Sequence, residues 1–153
     1  MTRDPSRYRP GVGLILTEGR GRVWLGQRAG GYEGEQLPQG GIEPGETIED
    51  AVWRELEEEV GTRNAELLGS TKEWTFYDFP PESSHRDLWD GQRHRWFVLR
   101  FLGDQSELDP AGVAEPEFEG WRWATPDEAI AAVVTFKQPV YRFAFTELAR
   151  FLQ

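Results

Sequence analysis

The chain has 153 residues, no cysteine, 13% aromatic residues and a formal net charge of −10. Without cysteine it has no disulfides, thiolate zinc sites or thiol catalysis. The negative charge argues against a protein that grips duplex nucleic acid through its overall surface field, but it is compatible with a small anion or a nucleic-acid end if local cations or metal ions offset the charge. No apolar segment typical of a signal peptide or a membrane span is present. We therefore expect one domain over residues 1–153, cytoplasmic and not bound to membranes; the oligomeric state stays open, and a monomer is compatible with the composition.

The first predicted elements are two β-prone runs, Gly11–Leu16 and Arg22–Gln27, separated by residues typical of a hairpin turn. A loop rich in glycine and charge spans 28–36. A helix follows, with Thr47 as its N-cap and Gly61 as its C-terminal stop. The later strands predicted from composition and alternation are Ala65–Ser70, Glu73–Phe79, Arg95–Leu102 and Gly120–Ala124.

Two further helices are predicted near the end of the sequence. Thr125, Pro126 and Glu128 combine an N-cap, a proline at the first helical position and a capping-box glutamate, which opens a helix to about residue 134. After Pro139, apolar residues at helical spacing define a terminal amphipathic helix. These apolar positions are Val140, Phe143, Ala144, Leu148, Phe151 and Leu152. The order of strands, helix, strands and helices predicts an α/β fold in which helices pack on a mixed sheet.

The helix after Thr47 carries an unusual number of glutamates. On a wheel of about 100° per residue with Glu55 at zero, apolar residues fill an arc from about −40° to about 160°. Glu55 and Glu59 fall inside this arc, and Glu58 lies at its edge, at about −60°. Carboxylates at these spacings repel one another, and burial makes their charge more costly. We therefore expect a positive partner beside them.

Oxygen ligands without cysteine or a nearby histidine favour magnesium, with manganese as the alternative, over zinc. The competing interpretation is a solvated acidic face, which is the usual setting of a glutamate run. The position of the glutamates within the apolar arc argues against that interpretation. His85 and His94 are isolated and lack metal-ligand spacing, so we assign them no chemistry.

The stretch from Gly40 to Gly61 resembles the Nudix box, G-x5-E-x7-R-E-U-x-E-E-x-G-U, in which U is a bulky aliphatic residue. Gly40, Glu46 and the run from Arg54 to Gly61 occupy the fixed places. Thr62 departs from the pattern where an aliphatic residue is usual, at a place that touches no ligand. By this resemblance the sequence is identified as a member of the Nudix hydrolases.

The resemblance implies an α/β/α sandwich around a mixed sheet and hydrolysis of a nucleoside diphosphate linked to another group. The ligands that it implies for the divalent ions are Glu55, Glu58, Glu59 and the Gly40 carbonyl. By the same pattern Arg54 orients a glutamate, and Glu46 is a supporting carboxylate. A plain tight turn is the alternative interpretation of the glycines at 40 and 41.

The similarity extends over nearly the whole chain to the subgroup of bacterial RNA pyrophosphohydrolases and asymmetric dinucleoside tetraphosphate hydrolases. The stretches that carry it are 8–13, 37–41, 91–97, 116–123 and 136–141. In that subgroup the glutamate that matches Glu117 acts as a metal ligand or base, and Glu119 is the competing position. Residues 74–81 look more like the dinucleoside branch, whereas Phe136 and Lys137 resemble the RNA-end enzymes. Both substrate classes therefore stay open.

Basic residues near these stretches are candidate phosphate contacts. They are Arg9, Arg28, Lys72, Arg93, Arg95 and Lys137. For any one of them an ordinary solvated charge is the alternative. Tyr77 and Phe136 are candidates for stacking a nucleobase, with core packing as the alternative for each.

The expected reaction is magnesium-assisted attack of water on a phosphoanhydride, in a dinucleoside polyphosphate such as diadenosine tetraphosphate or at the 5′-triphosphate end of RNA. Glu58, Glu59 or Glu117 is expected to accept the proton of the water. One alternative is a nucleotide-pool or nucleotide-sugar pyrophosphatase that uses the same box. Another is a non-catalytic Nudix-like nucleotide sensor, against which the intact glutamates argue.

Overall fold

The computed structural model describes residues 3–31 and 34–152. Its strands are β1 (Tyr8–Thr17), β2 (Val23–Arg28), β3 (Glu35–Gln36), β4 (Gln39–Gly41), β5 (Ala65–Ser70), β6 (Thr75–Asp78), β7 (Gly91–Phe101) and β8 (Phe118–Ala124). Its α-helices are α1 (Ile48–Val60), α2 (Pro126–Ala132) and α3 (Gln138–Glu147). These strands join into a sheet with the order β3-β2-β1-β7-β5, in which β4 also pairs with β1, β6 with β7 and β8 with β2.

The centre of the sheet is the parallel pairing of β1 with β7, which runs from Tyr8 opposite Gly91 to Thr17 opposite Arg100. Each of these strands changes its outer neighbour along its length. Near its start β1 pairs with β4, and at its end it pairs with β2. Similarly, β7 pairs first with β6 and then with β5. The sheet is therefore mixed, and β4 and β6 flank the same end of the central pair.

Helices cover both faces of the sheet because successive residues of the central strands are apolar on both sides. Ile15 joins a core with α2 and α3, whereas its neighbours Leu14 and Leu16 join a core with α1. The same alternation on β7 sends Val98 to the first core and Leu99 to the second. The predicted α/β/α sandwich with a mixed central sheet is confirmed.

The ends of α1 are those that the sequence predicts. The Thr47 hydroxyl accepts a hydrogen bond from the Asp50 amide at 3.1 Å. Gly61 ends the helix in the left-handed region, with a φ of 96°, which glycine adopts without strain.

The two later helices also begin at the predicted signals. Thr125 and Glu128 form a reciprocal capping box at the start of α2, which ends at Ala132, two residues before the predicted end. Pro139 lies in the first turn of α3, which begins one residue earlier.

As predicted, a turn joins β1 and β2, which are antiparallel neighbours; within the described residues their paired position is Thr17 opposite Val23, because β4 occupies the preceding part of that edge of β1. Other details of the predicted elements are wrong. The terminal helix α3 ends at Glu147, before the predicted positions Leu148, Phe151 and Leu152. The strand predicted to start at Arg95 starts at Gly91, where pairing with β6 extends it. On α3 Phe143 is 38% exposed. Its place in the core is taken by Tyr141 and Phe145, which the predicted apolar face did not include.

Glycine in β1 makes room for a tryptophan of β7. Gly13 lies opposite Trp96, and a Cβ at Gly13 would overlap the indole ring. Trp96 is almost fully buried and donates to Thr75 Oγ1 at 2.9 Å through its indole nitrogen. The ring therefore has little freedom to move away from β1.

We expect Gly13→Ala to lower the free energy of unfolding by about 1–3 kcal/mol, because the added methyl overpacks the buried ring. Chemical denaturation of the purified variant measures this change. Gly120→Ala in β8 is the matched control: the nearest atom to its Cβ is Gln27 Oε1 at 3.6 Å, an ordinary contact distance. Equal destabilisation by both substitutions would contradict the steric argument.

Among the described residues, no helix combines the length and the apolar composition that a membrane span requires.

Candidate active site

A smaller and a larger cavity adjoin at the end of the sheet where β4 and β6 flank the central strands. The smaller, of about 460 Å³, is lined by the glutamates of α1 and by the segment before β8. The larger, of about 960 Å³, is lined by β6, by the turn after β6 and by residues that precede α3. The residues that line both cavities are Arg9, Gln39, Gly40, Gly41 and Glu117.

The glutamates of α1 divide by exposure as the helical wheel predicts. Glu55 and Glu59 are buried, with 7% and 5% of their surface exposed, whereas the side chain of Glu58 is 57% exposed. All three line the smaller cavity. Because the apolar arc of α1 packs on the sheet, its inner edge carries two carboxylates out of water and into this cavity.

Arg54 is the positive partner that these carboxylates require. Its guanidinium donates to Glu55 at 2.7 Å and to Glu58 at 3.1 Å. It also donates twice to Glu46, at 2.7 and 2.9 Å, and once to the Gly41 carbonyl at 2.8 Å. These hydrogen bonds lower the pKa of Glu46 to about 2. One planar guanidinium thus connects three glutamates to the turn before the helix.

Burial perturbs the two inner carboxylates of α1. It raises the pKa of Glu55 to about 7, although Arg54 acts in the opposite direction. It also raises the pKa of Glu59, and the charge of Glu55 adds to that shift. Desolvated carboxylates that repel one another are stabilised by a cation.

The strand that bears Gly40 is held from both layers of helices. The Leu37 amide donates to Tyr141 Oη on α3 at 2.8 Å. The Gln39 amide donates to Glu59 Oε1 on α1 at 2.7 Å. The Gly40 backbone is therefore positioned beside the inner carboxylates by hydrogen bonds on its N-terminal side.

The donors around the smaller cavity suit a hard divalent cation, since they are carboxylate and backbone carbonyl oxygens. Gly40 lies directly against Glu55, and a Cβ at this position would overlap the carboxyl group. Within 3–31 and 34–152, no three acidic, histidine or cysteine side chains converge to enclose an ion. Glu55 and Glu58 are instead directed at Arg54. The residues fit the cation by their chemistry, because Arg54 occupies one oxygen of each of these carboxylates and the second oxygen can contact an ion.

The structure distinguishes the two glutamates that precede and begin β8. Glu117 lines both cavities. Glu119 is exposed and lies in a β-bulge. Gly120 and Phe118 pair with successive residues of β2, and Glu119 between them is skipped. Because this bulge leaves Glu119 out of the ladder, the two carboxylates do not occupy equivalent positions. Glu117 is the one beside the candidate ligands.

The larger cavity combines cations with aromatic rings. Arg9, Arg28 and Lys137 line it, together with Tyr77 and Phe136. The rings of Tyr77 and Phe136 lie 5.5 Å apart, and Lys137 Nζ lies 5.4 Å from the Tyr77 ring. Burial lowers the pKa of Lys137 to about 8, and Arg28 adds to this effect. Such a lysine gains from a phosphate oxygen beside it.

Three of the predicted phosphate contacts lie outside both cavities. Lys72 is exposed in the turn between β5 and β6. Arg93 lies over the Trp74 ring, 4.3 Å from its centre, and Arg95 donates to the Thr71 carbonyl at 2.9 and 3.0 Å. On β7 both arginines alternate with Gln92, which does line the larger cavity, so their side chains leave the opposite face of the strand.

Comparison with known proteins identifies the family of this chain. The model of the NUDIX domain matches residues 7–144. The chain belongs to the Nudix family. Curated relatives include an RNA pyrophosphohydrolase of Rhodospirillum rubrum, 49% identical over 148 residues that cover 94% of this chain and 88% of the relative. Another RNA pyrophosphohydrolase, from Caulobacter vibrioides, is 46% identical over 90% of this chain and 84% of its own.

Solved structures show the same Nudix fold at low identity. The dihydroneopterin triphosphate pyrophosphohydrolase of E. coli has a TM-score of 0.66 and 19% identity, covering 91% of this chain and 98% of that one. The Ap4A hydrolase of C. elegans has a TM-score of 0.63 and 16% identity, covering 95% of this chain and 99% of that one. Together with the family match, the curated relatives show that this protein is an enzyme, a Nudix pyrophosphohydrolase. The sensor interpretation is thereby wrong.

Sequence reasoning missed several residues that line this Nudix site. Gln39 lines both cavities, and its Oε1 is buried without a hydrogen-bond partner among the described residues. Gln36 accepts a hydrogen bond from Lys137 at 3.2 Å, and Gln92 accepts one from Tyr77. No local signal marks Gln36, because it lies between Glu35 and Leu37 in a stretch rich in glycine and charge. Gln92 lies in the part of β7 that precedes the predicted start at Arg95, so a longer predicted strand would have included it.

His94, to which the sequence assigned no chemistry, lines neither cavity and lies behind Tyr77. His94 is fully buried, its ring stacks on Tyr77 at 5.7 Å, and burial lowers its pKa to about 3. In the described structure both ring nitrogens lack hydrogen-bond partners. The neutral ring therefore acts as a packing surface beneath Tyr77.

Arg54→Met should lower the free energy of unfolding by about 2–3 kcal/mol, because it leaves buried Glu55 without its donor. Thermal and chemical unfolding both report the change. Arg63→Met is the matched control, since Arg63 and Glu57 form an exposed pair at 3.5 Å that contributes under about 1 kcal/mol. Equal stability of the two variants would show that Arg54 does not support the carboxylates.

Proposed function

We propose that this protein is a divalent-metal-dependent hydrolase that cleaves a pyrophosphate bond at the 5′-triphosphate end of RNA, and that residues 1–153 act as one domain. The observation that carries the proposal is the junction of two cavities, one lined by desolvated carboxylates and the other by cations and aromatic rings. This arrangement suits a ligand with a polyphosphate at one end and a base at the other. The two RNA pyrophosphohydrolases that are nearly half identical to this chain support RNA as the substrate.

Residues of the smaller cavity would hold one or more Mg²⁺ or Mn²⁺ ions. The proposed ligands are Glu55, Glu58, Glu59, Glu117 and the Gly40 carbonyl. Such an ion would neutralise the charge of phosphate oxygens and lower the pKa of the attacking water. Arg54 then acts as a positioning residue, because its hydrogen bonds set the direction of Glu55 and Glu58.

The chain's own groups divide the remaining work. Arg9, Arg28 and Lys137 offset the charge of the phosphates and orient them. Tyr77 and Phe136 offer aromatic faces to a base. The proton of the attacking water passes to a carboxylate, for which Glu58, Glu59 and Glu117 are the candidates.

A second candidate substrate is a dinucleoside polyphosphate such as diadenosine tetraphosphate. The stretch 74–81 resembles that branch, and its Tyr77 and Phe79 line the larger cavity. With a volume of about 960 Å³, this cavity lies near the upper end of the range for small-molecule sites, so it offers room for more than one nucleoside.

Analysis of the products formed from each substrate in the presence of magnesium decides between the two candidate functions. We expect a short 5′-triphosphorylated RNA to release pyrophosphate with the higher kcat/KM. Faster formation of ATP and AMP from diadenosine tetraphosphate would identify a dinucleoside polyphosphate hydrolase instead. Turnover of neither would refute both substrates and favour the nucleotide-pool or nucleotide-sugar alternative.

Glu58→Gln should lower kcat by about a hundredfold or more and leave the fold intact, because it removes a charge at constant size from a half-exposed position. Steady-state kinetics and thermal unfolding test the two parts. Glu57→Gln, on the exposed face of the same helix, is the control and should retain activity. An equal loss of activity and stability in the first variant would assign Glu58 a structural role.

The charge of Lys137 predicts a pH dependence. Its pKa of about 8 means that the ammonium loses its proton as the pH rises through that value, so we expect kcat/KM for a triphosphorylated substrate to fall above about pH 8. Lys137→Arg keeps its charge in this range and should move the fall to higher pH. An unchanged profile in the arginine variant would exclude Lys137 as the titrating group.

A further inference from the structure

The three predicted phosphate contacts that lie outside both cavities form a group of their own. Lys72 is exposed in the turn between β5 and β6, and Arg93 and Arg95 leave β7 on the face away from the larger cavity. Within the described part of the chain, none of the three forms an ion pair with a carboxylate. On a protein with a net charge of −10, cations without a counterion favour a negatively charged ligand at this place.

Neutral groups hold both arginines in position. The Arg93 guanidinium lies 4.3 Å from the centre of the Trp74 ring, and its Nε donates to the Tyr8 carbonyl at 3.4 Å. Arg95 donates to the Thr71 carbonyl at 2.9 and 3.0 Å. Arg93 and Trp74 are both half-buried, so each keeps part of its surface in contact with solvent. The pair thus combines a flat stacking surface with a fixed positive charge, the two features that bind single-stranded nucleic acid.

A shallow groove along the edge of β6 leads to this pair. Its volume is about 240 Å³, and it is lined by residues 73–76 and by Pro139, Val140 and Phe143 of α3. Within the described ranges β6 pairs with β7 alone, so its other edge is open. The ring of Phe143, which helical spacing had placed in the core, is 38% exposed and lies in this groove. The groove therefore offers an aromatic surface that the core does not use.

The groove continues the larger cavity along two elements. Tyr77 of β6 lines the cavity, and residues 73–76 immediately before it line the groove. Likewise Lys137 lines the cavity, and Pro139 in the first turn of α3 lines the groove. Because a strand rises about 3.3 Å per residue, Trp74 lies roughly 10 Å along the chain from Tyr77. A ligand that leaves the cavity along β6 therefore reaches Trp74 over a short distance.

We propose that this groove and the cations beside it bind the single-stranded RNA chain that leaves the larger cavity. This edge surface consists of Lys72, Trp74, Arg93, Arg95 and Phe143. Its cations contact phosphates of the chain and its aromatic rings stack bases, and they outnumber the one carboxylate that lines the groove, Glu73. The inference rests on the proposed function, which places the 5′-triphosphate end of the RNA in the cavities. A dinucleoside polyphosphate has no chain beyond its second nucleoside, so the edge surface serves RNA alone.

The test measures how binding depends on RNA length in a background that carries Glu58→Gln, which slows turnover. Calorimetric titration with magnesium gives dissociation constants for two ligands. One is the 5′-triphosphorylated dinucleotide pppApG, and the other is an unstructured RNA of about ten nucleotides that begins with it, a length within the range of single-strand sites. The measured quantity is the preference for the longer RNA. Trp74→Ala should lower this preference by about tenfold, the order of effect that loss of one stacked base produces.

Arg93→Gln is the second test variant. It should lower the slope of log Kd against log salt concentration for the longer RNA by about 0.7, because one phosphate contact is lost. Arg100→Gln is the matched control: Arg100 is an exposed arginine of the same strand that lies opposite Glu66, outside the groove and both cavities. It removes the same charge and should change neither the preference nor the slope.

Two results would overturn the inference. One is an unchanged length preference in Trp74→Ala together with an unchanged salt slope in Arg93→Gln. The other is an equal change in Arg100→Gln, since it would show that net charge alone determines the binding of the longer RNA.

Failure of the proposed function gives a different result. In that case the enzyme without substitutions releases pyrophosphate from neither RNA. If the function holds and the edge surface binds the chain, Trp74→Ala and Arg93→Gln lower kcat/KM for the longer RNA and leave that for pppApG unchanged. If the function holds and the inference fails, kcat/KM for both RNAs is the same in these variants as in the enzyme without substitutions. The binding preference does not depend on turnover, so it decides the inference in either case.

Discussion

Two carboxylates, Glu55 and Glu59, are withdrawn from water at the inner edge of an apolar helix face. A buried negative charge is stable only beside a cation or hydrogen-bond donors, and the surrounding structure supplies both. Arg54 donates to Glu55, and the Gln39 amide of β4 donates to Glu59. A helix that otherwise requires only an apolar face is thereby tied to the turn before it and to the edge of the sheet.

The opening in front of these carboxylates follows from the topology of the sheet. The central strands β1 and β7 pair in parallel over their length, yet each has a short outer neighbour at one end, β4 and β6. Both cavities are lined by β4, and the larger is also lined by β6 and the residues before α3. The candidate site therefore lies at the end of the sheet where β4 and β6 flank the central strands.

The two halves of the site have opposite electrostatic character. The carboxylate half repels a phosphate until a cation is present, whereas the half with Arg9, Arg28 and Lys137 attracts one. In the proposed function, a polyphosphate that spans both halves is held by fixed cations at one side and by a recruited cation at the other. The proposed function thus has charge orient the ligand along the cavity before any chemistry takes place.

The sequence by itself determined the local structure of the site. Helical periodicity separated buried Glu55 and Glu59 from exposed Glu58, and cap residues marked the ends of α1 and the start of α2, because these features depend on neighbours within a few residues. Only the tertiary structure decided which distant groups meet. Arg93 and Arg95 resembled Arg9 as candidate phosphate contacts, but the alternation of β7 and its pairing partners turned them away from the cavity. Glu119 likewise competed with Glu117 for one role in the sequence, and a bulge in β8 separates the two in the structure. Contacts of this kind depend on strand register and chain crossings over long separations, which no local pattern of residues records.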